Sequence, residues 1–350
     1  MRASSLSRSS SSRLFLPLLG LLVAACDPII VGGGGGAGGS APSTTSGGSV
    51  SCANPTPVGL PPAAICTPTN VTCGAASSVC LATAHAAAAP TFDMRVAQLT
   101  LSAPEALRHG IVQSVFQGAV LLNRPLCNLG GSGAFNWLLH VDTSAGTLEV
   151  GAARGVADPN MGYSFIHEAM TLGTSTFPVA PVTTAATLDA SCGLESAPID
   201  VFLPFFGGVG DSAFTIFPLR SLRFFDTVVT PDHDCIGAYN AAGLDPANNC
   251  IGDEQHRTFL DGGHFEAFIS LEEADTVLVP VLGQTLCVLL SDSAPSFGDG
   301  GQPSKCKRDS TGNIVLQGDW CSVTNQPASG GCADAMRFAG SFAASGVAIH

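Results

Sequence analysis

The sequence has few basic residues for its length. Its 350 residues include 14 Lys and Arg against 27 Asp and Glu, which gives a formal net charge of −13. A protein that binds nucleic acid needs a stripe of basic side chains to displace the counterions of the phosphates. We therefore expect no nucleic-acid partner.

Trp and Tyr are also scarce, with two residues of each against 19 Phe. Exposed Trp and Tyr, which combine a large ring with a polar group, are the usual stacking platforms of sugar-binding sites. Trp320 lies between Asp319 and Cys321 and is the one candidate for such a platform. Packing of its ring against a neighbouring disulfide is the competing interpretation. A carbohydrate-binding module is therefore an alternative function.

The local motifs of common hydrolases are missing. The sequence has no His-Glu-x-x-His motif and no Gly-x-Ser-x-Gly turn. Residues 226–266 are nevertheless rich in His and carboxylates, which are the ligand types of zinc and two-metal sites. We predict a solvated acidic loop there, with no metal, no cofactor and no catalytic residue. The alternative is a metal-dependent hydrolase, whose candidate ligands are Asp232, His233, His256, Asp261 and His264.

Residues 1–25 have the features of a secretory leader. Three Arg residues precede the apolar run Leu14–Ala25, and Cys26 follows this run directly. Basic residues, an apolar run of this length and small residues before the cut are typical of a signal peptide, and the run is too short to span a bilayer. Leu22–Cys26 resembles the lipobox of bacterial lipoproteins, in which a peptidase cuts before the Cys. An ordinary signal peptide cut after Ala25 is the alternative.

The lipobox resemblance implies that Cys26 is the lipid attachment site. Several acyl chains, such as palmitate, would hold the mature chain durably on a membrane. We therefore expect a lipid-anchored protein of the cell envelope, on the outer membrane or the periplasmic face. Loss of three Arg with the leader leaves 11 basic residues (14 − 3) against 27 acidic ones, a mature charge of −16.

Composition divides the mature chain into three segments. Residues 26–51 are predicted to be the lipid anchor and a disordered linker, because their Gly/Ser-rich sequence cannot bury enough apolar surface to offset chain entropy. Residues 52–90 form a small Cys-rich segment with few large apolar residues. Two disulfides among four cysteines would order it, with the pairing left open: Cys52, Cys66, Cys73 and Cys80. Residues 91–350 are predicted to form a β-rich globular domain.

Strand patterns dominate this domain. Apolar residues predict strands over 92–101, 135–141, 147–150, 199–206, 213–219, 222–229, 264–270 and 313–316. Helical spacing predicts helices after Ser102, after Ser270 and over 332–342. We expect an α+β fold that is predominantly β, with a β-sandwich-like core, two or three short helices and disulfide staples.

The cysteine count fits complete oxidation. Thirteen Cys less the acylated Cys26 leaves twelve, an even number, as expected of an exported chain. Proximity in the sequence suggests the pairs Cys235–Cys250 and Cys321–Cys332, which leaves Cys127–Cys192 and Cys287–Cys306. The disulfide candidates are Cys52, Cys66, Cys73, Cys80, Cys127, Cys192, Cys235, Cys250, Cys287, Cys306, Cys321 and Cys332.

Several blocks of the domain resemble uncharacterised predicted lipoproteins of Gram-negative bacteria. The blocks are Phe135–Leu139, Cys235–Asn240, Leu244–Cys250, Cys306–Asp309 and Gly318–Cys321. The resemblance implies export and disulfides and carries no catalytic residues. The signs of a lipid tether, combined with the lack of a catalytic constellation in the sequence, predict a non-enzymatic, lipid-anchored envelope protein that binds or scaffolds another envelope component, either protein or glycan.

Overall fold

The structure, a computed structural model, describes residues 80–350 with eight gaps in that range: 109, 125–126, 208–212, 242, 245–249, 251, 254 and 292–302 are not described. The predicted leader and linker and most of the Cys-rich segment, with Cys26, Cys52, Cys66 and Cys73, lie outside the described residues. Within the described part of the chain, none of the helices has both the length and the apolar character needed to cross a bilayer.

Antiparallel strands make up most of the described chain. The strands are β1 Thr91–Ala103, β2 Asn123–Arg124, β3 Leu129–Gly130, β4 Asn136–Asp142, β5 Thr147–Ala153, β6 Glu168–Leu172, β7 Ser175–Val179, β8 Val182–Leu188, β9 Gly193–Ser196, β10 Ile199–Phe206, β11 Phe214–Phe225, β12 Thr227–Val228, β13 Cys235–Ile236, β14 Ala238–Tyr239, β15 Phe259–Leu260, β16 Gly263–Ser270, β17 Leu278–Val279, β18 Gln284–Thr285, β19 Trp320–Cys321, β20 Gln326–Pro327 and β21 Ala335–Gly346. The helices are α1 Glu105–Arg108, α2 Gly110–Val120, α3 Leu271–Ala274 and α4 Leu286–Leu290.

One curled sheet organises these strands. Its order is β10-β11-β16-β21-β1-β4-β5-β8-β9-β12, and all of these pairings are antiparallel. β10 and β11 lie against β5, β8 and β9, which come from the far end of that order, so the sheet curls until its two ends meet. The expected fold class, α+β with a predominantly β, sandwich-like core, is confirmed.

Aromatic side chains fill the inside of the curl. Trp137 on β4 is 1% exposed, and its ring centroid lies 5.7 Å from that of Phe224 and 5.4 Å from that of Phe265. The Phe265 ring in turn lies 5.6 Å from that of Phe338 on β21. Burying one large apolar side chain contributes about 1.5–3 kcal/mol. These contacts therefore stabilise the curl by joining strands that are distant in the sequence.

The predicted helix over 332–342 is wrong, because Ala335–Gly346 is strand β21. This strand lies between β1 and β16, and consecutive residues such as Phe342, Ala343 and Ala344 are at most 1% exposed. A strand buried on both faces has no alternation of apolar and polar residues, so its period is ambiguous in the sequence. At Gly340 a Cβ atom would lie 2.3 Å from the Thr100 carbonyl oxygen, which explains the small residue there.

Most of the other predicted elements are present. Helices follow Ser102 and Ser270 as expected, and the predicted hairpin corresponds to β4 and β5. Two predicted strands, 213–219 and 222–229, are largely one continuous strand, β11. The predicted strand over 313–316 is wrong, since its residues form only an isolated bridge between Arg308 and Ile314.

Three disulfides join cysteines within the described residues. Cys287–Cys306 and Cys321–Cys332 confirm two of the suggested pairs. The third is Cys80–Cys235, so both the predicted Cys235–Cys250 bridge and the predicted pairing of Cys80 within residues 52–80 are wrong. Proximity in the sequence failed here because β13 pairs with β21 and brings Cys235 next to residues 80–86. Three more cysteines are also disulfide-bonded: Cys127, Cys192 and Cys250. The suggested pair Cys127–Cys192 is not among the three bridges described above.

Further contacts hold residues 80–90 against the loop that follows β12. The Ala86 amide donates to Asp234 Oδ1 over 2.7 Å, and the Ala88 amide donates to the Asp232 carbonyl oxygen over 2.9 Å. The His85 ring contacts the Asp234 carboxylate, which is 3% exposed. Residues 80–90 therefore pack as part of the β-rich domain.

Removal of the Cys80–Cys235 bridge is expected to destabilise the fold more than removal of Cys321–Cys332. The sequence separations are 155 and 11 residues. Chain-entropy arguments give about 3 kcal/mol for a loop of about 15 residues and about 4.7 kcal/mol for one of about 100. Urea denaturation of the two double Cys→Ser variants measures the difference in unfolding free energy, which we expect to be about 2 kcal/mol. An equal loss of unfolding free energy in the two variants would contradict a long-range role for Cys80.

Candidate ligand-binding site

The described structure does not bring the predicted metal ligands together. His233 is 2% exposed, its Nδ1 lies 2.8 Å from the Ala89 carbonyl oxygen, and its ring packs on Phe92. His256 pairs with Asp253 at 3.0 Å on a different loop.

The remaining candidates have separate partners. Asp232 accepts a hydrogen bond from Thr230, and the His264 ring stacks on Phe225 with centroids 5.7 Å apart. Asp261 accepts from Ser341 over 2.6 Å. Among the described residues, the ligand-type groups that lie close enough to share an ion are Asp275 with Cys287 and Cys306, and Asp334 with Cys321 and Cys332. Both sets contain a disulfide, so the geometry gives the hydrolase alternative no support.

Trp320 is packed and does not present an open stacking face. It is 7% exposed, and its Nε1 donates to Asn325 Oδ1 over 3.0 Å. The Arg337 guanidinium lies over its ring, 5.8 Å from the centroid. The packed interpretation of this residue therefore fits the structure better than a sugar platform.

An apolar pocket lies between α2, the β10–β11 hairpin and the segment from β17 to α4. Its volume is about 230 Å³, it is open on one side, and the surface it exposes is apolar. The one lining side chain with a hydroxyl, Thr215, donates to the Leu278 carbonyl oxygen over 2.8 Å. The pocket is lined by Val112, Val115, Phe116, Phe205, Gly207, Ala213, Phe214, Thr215, Phe217, Val279, Pro280, Leu282, Leu286 and Leu289.

Three phenylalanines form one side of this pocket. The Phe116 ring on α2 lies 5.2 Å from that of Phe205 and 5.4 Å from that of Phe217. Val112 and Val115 are on the same side of α2 as Phe116, because residues three and four apart are neighbours on a helix. Val115 is 53% exposed, which places it at the open side.

Polar contacts with β1 and β4 position α2. Gln113 Oε1 accepts from the Leu101 amide over 3.0 Å, and its Nε2 donates to the Leu99 carbonyl oxygen over 2.9 Å. At the end of the helix, the Arg95 guanidinium donates to the Val120 carbonyl oxygen and to Asn136 Oδ1. Burial lowers the pKa of Arg95. Because the donor and the acceptor of each of these hydrogen bonds are buried or half-buried, α2 has a defined position against the sheet.

Size and chemistry limit what the pocket can hold. An engineered apolar cavity of about 150 Å³ binds benzene, whereas sites for whole drug-sized ligands measure about 300–1,000 Å³. A pocket of about 230 Å³ therefore suits an apolar portion of a ligand. A polar group placed there would lose its hydrogen bonds to water at a cost of about 1–3 kcal/mol.

A polar cleft lies on another side of α2. It measures about 310 Å³ and runs between α2, β3 and the residues Gly252, Asp253, Arg257 and Thr258. Gln98, on its floor, is held by the backbone of Phe259 through bonds of 2.8 and 2.9 Å. The cleft is lined by Ala97, Gln98, Ser114, Gln117, Gly118, Leu121, Gly130, Gly131, Gly252, Asp253, Arg257 and Thr258.

Two side chains of opposite charge line the cleft. Hydrogen bonds from the His256 backbone and ring lower the pKa of Asp253, so this carboxylate is ionised at neutral pH. Arg257 Nη1 lies 3.2 Å from Thr100 Oγ1 and 3.4 Å from Asp261 Oδ2. The cleft can therefore offer both donors and acceptors to a polar group.

Sequence reasoning found the helix that separates these two sites but neither site itself. The apolar spacing of residues 107–120 predicted α2, and Ser114, Gln117 and Gly118 interrupt that spacing on another side of the helix. This break in the apolar spacing was the sequence feature that could have indicated the cleft. No local pattern distinguishes Val115, at the mouth of the pocket, from an apolar residue of the core.

Two glycines that line the cleft are expected to respond in opposite ways to substitution by Ala. A Cβ at Gly118 has no atom within 4 Å, so Gly118→Ala should stabilise the protein by about 1 kcal/mol through helix propensity. A Cβ at Gly131 would lie 2.0 Å from the Leu121 carbonyl oxygen, so Gly131→Ala should destabilise it. Urea denaturation measures both changes, and a destabilising Gly118→Ala would contradict the open space above α2.

The pocket and the cleft share α2 as a common wall. Val112, Val115 and Phe116 face the pocket, whereas Ser114, Gln117 and Gly118 face the cleft, as the residues that line each site show. In comparisons with known proteins, no family model, no curated protein and no solved structure matches the chain.

Proposed function

We propose that this chain is a lipid-anchored protein of the cell envelope that binds the apolar part of another envelope component in the pocket beside α2. The leader and the lipobox-like Leu22–Cys26 support anchoring at Cys26. The single observation that carries the binding role is the apolar pocket of about 230 Å³, open on one side. Acylation would keep the domain close to molecules whose apolar parts match that pocket.

An unfilled apolar space of this size is unfavourable for stability. An enclosed cavity of about 230 Å³ would cost about 5.5 kcal/mol at about 24 cal/mol per Å³. The pocket is open on one side, so its cost is smaller, yet larger side chains at its lining positions would stabilise the fold more. A ligand that fills the pocket would offset this stability cost, which is why we propose that the space binds one.

Covalent and ionic contacts keep one wall of the pocket in place. α4 supplies Leu286 and Leu289, and the Cys287–Cys306 disulfide fixes it. The buried Asp275 carboxylate accepts hydrogen bonds from Thr285 Oγ1 over 3.0 Å and from the Cys306 amide over 2.8 Å. A wall that is already ordered loses little conformational entropy when a ligand binds.

Acylation is tested on the N-terminal peptide of the protein purified from bacterial membranes. We expect mass spectrometry to find a mature chain that begins at Cys26 and carries acyl chains, because the lipobox directs cleavage before an acylated Cys. A Cys26→Ser variant serves as the control and should lack the adduct. An unmodified Cys26 in the membrane-purified protein would refute the anchor.

Binding is tested with the apolar fluorophore N-phenyl-1-naphthylamine. The full mature chain carries Cys26→Ser behind an ordinary secretory leader, so that no acyl chain or detergent competes. We expect saturable binding that Val115→Asp weakens by about tenfold, or 1.4 kcal/mol, because a charge at the mouth must lose water when the ligand enters.

The matched control is Val323→Asp, which changes an 86% exposed valine outside the pocket. Its affinity for the fluorophore should equal that of the parent chain. Absence of saturable binding to the parent chain, or equal effects of the two substitutions, would refute the binding role of the pocket.

A further inference from the structure

We infer that the ligand is a single-chain amphiphile with an uncharged, hydroxyl-bearing headgroup. Its hydrocarbon chain enters the pocket, its headgroup lies in the cleft, and the molecule passes over α2. This inference rests on the proposed function and names the class of ligand that the pocket and cleft take together.

The two sites adjoin on the surface of α2. Val115 lines the pocket and Gly118 lines the cleft. Residues three apart on a helix have Cβ positions about 5–6 Å apart, so this is the distance from the mouth of the pocket to the edge of the cleft along the helix surface. Val115 is 53% exposed, and a Cβ at Gly118 would meet no atom within 4 Å. A chain can therefore cross the helix at these residues.

The cleft retains hydrogen-bonding capacity for a headgroup. Thr258 is 4% exposed and lines the cleft, and its hydroxyl makes no hydrogen bond with another described residue. The Gln117 amide also lines the cleft and makes no hydrogen bond with another described residue. A hydroxyl and an amide that line the cleft without a protein partner can hydrogen-bond to a polar ligand.

Charge favours an uncharged headgroup. Asp253 and Arg257 both line the cleft, and their charges are opposite. An anionic headgroup would also approach a chain whose formal net charge is −13 and becomes −16 when the three Arg of the leader are lost. Hydroxyl groups, which donate and accept hydrogen bonds, can satisfy Thr258, Gln117 and the two charged side chains together.

Competition by octyl β-glucoside below its critical micelle concentration tests the inference. The full mature chain with Cys26→Ser and bound N-phenyl-1-naphthylamine is the starting point. We expect octyl glucoside to displace the fluorophore, and glucose alone to fail because it leaves the pocket unfilled.

Two variants in the cleft separate the headgroup from the chain. Gly118→Leu obstructs the passage over α2, and Gln117→Ala removes one amide and remains informative should Gly118→Leu not fold. Gln117→Ala should weaken the binding of octyl glucoside by about fivefold, the effect of one hydrogen bond, and Gly118→Leu should weaken it at least as much because its side chain blocks the passage. Both variants should leave the affinity for the fluorophore unchanged. Val323→Asp should change neither affinity.

Several results would overturn the inference. One is a fluorophore that binds the parent chain but is not displaced by octyl glucoside, and another is equal octyl glucoside affinity in the parent chain and Gln117→Ala. Tighter binding of octyl sulfate or octyltrimethylammonium would refute the uncharged headgroup. In all three cases the proposed function stands, whereas a parent chain that does not bind the fluorophore refutes the proposed function as well.

Discussion

Contact between aromatic side chains inside the curled sheet is the interaction on which the rest of the structure depends. Trp137, Phe224, Phe265 and Phe338 lie on four different strands and meet with ring centroids less than 6 Å apart along the chain of contacts. They hold β11, β16 and β21 against β4, although the sequence separates these strands widely. Because β10 is paired with β11, the same contacts place the β10–β11 hairpin, and with it one wall of the apolar pocket.

The position of α2 follows from the same sheet. The helix packs against β1. Gln113 of the helix bonds the backbone of β1, and Arg95 of β1 bonds the last carbonyl oxygen of the helix, through buried or half-buried hydrogen bonds. Because α2 contacts β1 along one face, its two flanking faces remain available to line other parts of the structure. Here one of these surfaces is apolar and faces the pocket, and the other is polar and faces the cleft. The pattern of α2 therefore serves packing and, under the proposed function, would also set the chemistry of the two sites.

The sequence predicted local elements better than their long-range partners. The hairpin of β4 and β5, the helix after Ser102 and the bridges Cys287–Cys306 and Cys321–Cys332 depend on nearby residues, and all are present. Strand β21 was misread because burial of both faces removes the alternation that identifies a strand. Cys80–Cys235 was missed because 155 residues separate its ends, and no local pattern encodes a contact of that range. The pocket depends on such contacts too, so its residues were predicted only as core.

Affinity and anchoring fit together under the proposed function. A pocket of about 230 Å³ holds a short portion of a chain, and each methylene group contributes about 0.8 kcal/mol when buried. Burial of about five such groups would give about 4 kcal/mol, which corresponds to a millimolar dissociation constant, before any contribution from the cleft. A site that weak is useful only where its ligand is concentrated. An acylated Cys26 would supply that condition, because a tether replaces the dilute aqueous phase with the high local concentration of amphiphiles at a membrane surface.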